Sequence, residues 1–109
     1  MMVSVLGTEY TIEYKDSHTD PILERNDGYC DSSQKLIVIA NIEKRSEVKN
    51  PERIKKRILR HEIIHAFMSE SGLEDDWEHK EFGQEETVVD WFAIQFPKLL
   101  EAFKEVDAL

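Results

Sequence analysis

His61-Glu62-Ile63-Ile64-His65 sets two imidazoles four positions apart, with a carboxylate beside the first. On a helix, side chains at i and i+4 sit one turn apart on the same face. Both rings can then reach a single metal ion, and Glu62 can handle the proton of a water held there. The chemistry implied by this set is zinc-assisted hydrolysis of an amide bond. The competing reading is two exposed histidines on a charged helix. It makes coincidences of Glu62 and of the acidic pair further along the chain.

The flanking residues predict the helix that this pattern needs. Asn50-Pro51-Glu52 reads as an N-cap, a first-turn proline and a first-turn acid. A helical run follows from Pro51 to about Ser71, and Gly72 supplies the stop. Leu59, Ile63, Ala66 and Phe67 fall on the side away from His61 and His65, with Ile64 at its border. Burying that side points the histidines into a cleft.

A catalytic zinc normally takes three protein ligands and a water. Downstream, the pattern predicts a second helix from Gly83 or Gln84 to Phe96, broken at Phe96-Pro97. Glu86 and Asp90 share one face of it. Glu86 can be the third ligand. Asp90 can accept a hydrogen bond from the free ring nitrogen of a ligand histidine, which fixes its tautomer. Glu85 competes with Glu86 by register, and Asp90 could itself be the ligand. A solvated first-turn acid is the plain alternative for Glu86. Val88, Val89, Trp91 and Phe92 crowd Asp90 with apolar residues, which predicts its partial burial beside a partner.

H-E-x-x-H followed by E-x-x-x-D resembles the pattern of the gluzincin metallopeptidases. Glu86-Thr87-Val88-Val89-Asp90-Trp91-Phe92-Ala93 resembles the glutamate helix of the ImmA/IrrE family within that group, and Lys35 to Asn41 resembles its strand before the active-site helix. The likeness runs from Gly28 to Leu100. Family members often carry a less bulky pair where this chain has Ile63-Ile64, and often have extra N-terminal helices. The resemblance implies one Zn2+ per chain held by His61, His65 and Glu86, with Glu62 as general base and Asp90 supporting a ligand. It also implies a protein or peptide substrate, such as a transcriptional repressor of a phage or mobile element that the enzyme cleaves site-specifically.

Other residues invite weaker assignments. His79, in the loop between the two ligand helices, and Tyr29 are candidates to steady the oxyanion of a tetrahedral intermediate; Tyr14 is a further one, and His18 is the remaining histidine. Cys30 could be a fourth ligand holding the enzyme latent, or a small buried cysteine. Arg53, Lys55, Lys56, Arg57 and Arg60 form a basic run that is either a solvated helix face or a dock for an acidic segment.

The 109 residues suffice for one small domain, with no internal repeat or low-complexity segment. A net charge of −9 argues against direct binding of nucleic acid, and no helix-turn-helix signature is visible. No apolar run approaches a membrane span, and the N-terminus lacks the features of a signal peptide. The single cysteine fits a reducing cytoplasm.

Alternation predicts strands at Val3 to Leu6 and Glu9 to Tyr14, paired as a hairpin around Gly7-Thr8. His18 to Asn26 reads as loop, Gly28 to Asp31 as a short strand, and Leu36 to Ile42 as a strand buried on both faces. The active-site helix, the glutamate helix and a C-terminal helix from about Pro97 to Val106 follow. The expectation is a small α+β, zincin-like single domain with antiparallel or mixed strands first and helices after. An exposed edge of the strand from Leu36 to Ile42 could hold an extended substrate as an added strand. The rival function is a catalytically silent zinc-binding interaction module, marked by four protein ligands and no open position. The oligomeric state is not written in these residues.

Overall fold

The computed structural model of the chain describes residues 1–43, 45, 47–75 and 86–109, apart from the side chains at 86, 87, 89, 90 and 93. Four strands form one mixed sheet in the order β1-β2-β4-β3, and two α-helices accompany it. β1 (Met2–Val5) and β2 (Thr8–Lys15) are an antiparallel hairpin, with Met2 opposite Thr11 and Val5 opposite Thr8. Its turn is Leu6-Gly7, at φ 51° and 88°. Two consecutive left-handed residues make the tight turn whose twist matches a hairpin. The turn therefore sits one residue earlier than expected.

The loop after β2 contains a short 3-10 turn at Pro21–Glu24, capped by Asp20, whose side chain accepts from the Ile22 N–H. β3 (Gly28–Asp31) then runs antiparallel to β4 (Leu36–Ala40), while β2 pairs with β4 in parallel. β4 thus lies between β2 and β3, and its Ile37, Val38 and Ile39 are fully buried. The expectation of burial on both faces is met. The expectation of an exposed β4 edge is not: β2 and β3 occupy both of its edges, and β3 is the outer strand beside it. A peptide cannot add to a strand whose hydrogen bonds already run both ways.

Helix α1 (Pro51–Glu70) begins and ends where its caps require. Asn50 accepts from the Arg53 N–H, Pro51 needs no N–H in the first turn, and Gly72 at φ 81° turns the chain away. Leu59, Ile63, Ala66 and Phe67 are buried against the sheet, each no more than 2% exposed. α1 packs on β3, β4 and β1. Burial of a side chain such as Ile63 or Phe67 contributes about 1.5–3 kcal/mol.

Helix α2 runs unbroken from Glu86 to Glu105, with Pro97 inside it. This corrects the expected break at Phe96-Pro97, and the glutamate helix and C-terminal helix are one element. The physical reason is the continuity of its apolar stripe. Val88, Leu99, Ala102 and Phe103 are all buried, and Trp91 and Phe92 pack at the edge of the core. These positions fall on one helical face on both sides of Pro97. Their joint burial outweighs the roughly 3 kcal/mol that an interior proline costs. The start expected at Gly83 or Gln84 lies outside the described residues.

Candidate metal centre

Register decides which side chains meet α1. Ile12, Ile37 and Cys30 form one cross-sheet row, and Tyr14, Ile39 and Gly28 another. Both rows face α1: a Cβ built on Gly28 would meet Ile58 Cγ2 at 2.9 Å and Glu62 Cγ at 3.4 Å. The intervening row of Glu13, Val38 and Tyr29 faces the other way.

Between β3 and α1 lies a cleft of about 620 Å³, bordered by Gly28, Cys30, Arg57, His61, Glu62 and His65 among others. His61 and His65 project from the exposed side of α1. Their Nε2 atoms are 3.1 Å apart, and the rings meet edge to face with centroids at 4.8 Å. Two nitrogens that share a tetrahedral zinc at about 2.0–2.1 Å sit about 3.3 Å from each other. The donor pair therefore fits that ion closely. Among the described residues, His61, Glu62 and His65 form a group whose ligand atoms lie within 4.8 Å of one another.

Glu62 is buried, at 6% exposure, although it is next in sequence to exposed His61. Its Oε1 is 3.8 Å from His61 Nε2. Burial pushes its carboxyl up to about 7, where a carboxylate can both take and return a proton near neutrality. Burial and the neighbouring His61 hold His65 below its ordinary value, against a smaller opposing influence of Glu74. A ring kept neutral presents a lone pair to a metal.

Glu86 and Asp90 both fall on α2, Glu86 at its first residue, but their side chains, and with them the expected burial of Asp90, lie outside the described residues. Glu85 and His79 lie outside as well. The N-terminal half of α2 is tied to the end of α1 by a hydrogen bond from Trp91 Nε1 to Ser71 Oγ at 3.1 Å. The glutamate helix therefore starts near the end of α1 that carries His65.

Tyr29 borders the same cleft as the histidines, but its hydroxyl is engaged elsewhere. Its row faces away from α1, and its hydroxyl donates to Asp20 Oδ2 at 2.5 Å. Burial first, and Asp20 second, push its pKa up to about 12. Tyr14 also stays apart, its ring under the Lys55 ammonium at 4.7 Å. Cys30 does face the cleft. Burial and then the Glu62 carboxylate push its thiol up to about 12, so it stands there as a neutral thiol.

Sequence reasoning missed Gly28. Its lack of a side chain lets β3 seat directly against Ile58 and the Glu62 stem, which shields that carboxylate. A glycine opening a short strand is the signal that could have found it. No helix among the described residues is long and apolar enough to cross a membrane. The chain matches no family model, no curated protein and no solved structure.

Proposed function

We propose that this chain is a zinc-dependent peptidase of the gluzincin type, with a zincin-like arrangement of sheet edge and active-site helix. The observation that carries the reading is the pair of histidine Nε2 atoms 3.1 Å apart, with buried Glu62 beside them, in a cleft bounded by a sheet edge. His61 and His65 would hold the ion, with Glu86 as third ligand and Asp90 orienting one of the rings. Zinc supplies a Lewis acid for the scissile carbonyl and lowers the pKa of its water.

The chain's own groups do the rest. Glu62 accepts the proton of the attacking water and delivers it to the leaving amine. Its burial keeps bulk water from competing for that proton. β3 offers the edge that β4 does not. Ala40 N–H donates to Asp27 C=O at 2.8 Å, so the pairs 27:40 and, by alternation, 29:38 are the hydrogen-bonded ones. The N–H and C=O groups of Gly28 and Cys30 then point to the free edge, where an extended peptide can add as a strand. The resemblance to the ImmA/IrrE family extends the proposal to a transcriptional repressor as the natural substrate.

The test is Glu62→Gln. With zinc bound, the native chain should cut unfolded or partner polypeptides. The variant should bind zinc equally and lose roughly 10²- to 10⁴-fold in turnover. Full activity in Glu62→Gln would remove the general-base assignment. A zinc-loaded native chain that cuts neither unfolded proteins nor repressors would favour a silent binding module.

A further inference from the structure

Arg57 stands on the same helical stripe as the histidines, four positions before His61 and eight before His65, and borders the same cleft. The rest of the basic run of α1 has other roles or other places. Lys55 pairs with Glu43, Lys56 with Asp107 at 3.5 Å, and Arg60 Nη1 donates to the Ala108 carbonyl at 2.6 Å. Arg53 does not border the cleft. Asp27, another acid on the cleft wall, is itself paired with Arg45 at 2.7 Å. Arg57 has no ion-pair or hydrogen-bond partner among the described residues.

The opposite end of the cleft carries the opposite charge. Glu74 borders it just past the end of α1, where its N–H donates to the Met68 carbonyl at 3.1 Å. The cleft therefore has a cation at one end, the two histidines in the middle and a carboxylate at the other end. Among the described residues, a negative group on a bound peptide is favoured at the Arg57 end.

We propose that Arg57 is a specificity-determining residue, binding a carboxylate that the peptide carries two or three residues from the bond to be cut. The inference rests on the peptidase reading above. The spacing follows from helix geometry. A point midway between His61 and His65 lies about 9 Å along the helix axis from Arg57, at about 1.5 Å per residue. An extended peptide covers that distance in two to three residues, at about 3.3 Å each. The planar guanidinium can hold a carboxylate through two parallel hydrogen bonds, which a lysine at this place could not do.

The test uses zinc-loaded protein and a series of peptides ending or starting in a hydroxamate, which anchors on the metal. A single Glu is moved along an otherwise uncharged chain, on either side of the anchor, and each peptide is compared with its Gln counterpart. The native protein should prefer Glu at one position by roughly 1.5- to 5-fold, the range for an exposed ion pair. Arg57→Gln should erase that preference with zinc content unchanged. Arg57→Glu should reverse it toward Lys, which a merely structural role for Arg57 would not produce. Hydroxamates that bind without any Glu preference, or a preference that survives Arg57→Gln, would overturn the role of Arg57 and leave the peptidase reading standing. A zinc-loaded protein that binds none of the hydroxamates would overturn both.

Discussion

Gly28→Ala should loosen the contact between β3 and α1. The added methyl carbon would lie 2.9 Å from Ile58 Cγ2, 2.9 Å from the Val38 carbonyl oxygen and 3.4 Å from Glu62 Cγ. Ile58 can rotate or shift, but the Val38 oxygen belongs to the central strand and cannot move without disturbing the ladder on both sides. Overpacking of this kind costs about 1–3 kcal/mol. An unfolding entropy of about 2.1 cal/mol/K per residue converts 1 kcal/mol to about 4 °C for a chain of this length. Circular dichroism at neutral pH should therefore show a fall in Tm of about 4–13 °C. Trimming the neighbour separates space from other causes. Ile58→Ala should cost less in the Gly28→Ala background than it does alone, because it relieves part of the clash. A Tm unchanged within about 2 °C would refute the close seating of β3. It would also remove the account of how Glu62 is kept from water.

Three further outcomes follow from other contacts. Glu70 accepts from Lys35 Nζ at 2.5 Å, Tyr10 Oη at 2.7 Å and Thr8 Oγ1 at 3.2 Å, and Lys35 first and Tyr10 second hold its carboxyl below the ordinary range. A depressed native pKa gives stability that is present above the unfolded value and lost as pH falls through the native one; denaturant titrations of Glu70→Gln from neutral to acid pH should show a flatter acid limb than native. Glu70→Ala at neutral pH should cost about 1–3 kcal/mol, since the buried Tyr10 hydroxyl loses its acceptor, as read by the urea midpoint. Pro97→Ala should raise stability by about 1–3 kcal/mol if α2 is continuous; no gain, or a loss, would indicate a proline-adapted break.

The parts of this architecture that were legible are those governed by local rules. Asn50, Pro51 and Gly72 mark the ends of α1 because capping is decided within a few residues. Ile63 and Phe67 announce their burial by helical spacing, and Leu36 to Ala40 by an unbroken apolar run. What escaped depends on partners distant in sequence. Strand order is one such case: nothing within β4 says that β2 and β3 will take both of its edges. Pro97 is another, where a local breaker yields to a stripe of buried residues on either side. At the site, the spacing of His61, Glu62 and His65 foretold a shared helix face. It did not foretell that Glu62 would be buried, because β3, seated through Gly28, supplies that shield. The partner of Tyr29 was not legible for a similar reason: its hydroxyl donates to Asp20, a contact set by the pairing of β3 and not by nearby sequence.

Metal at the histidine pair is the central claim. The measurement is zinc stoichiometry by native mass spectrometry, on reduced protein purified at neutral pH with zinc supplied, beside His61→Ala. About one zinc per native chain is expected, lost in the variant, with both chains folded by circular dichroism. No zinc on the native chain, or an equal amount on His61→Ala, would contradict it.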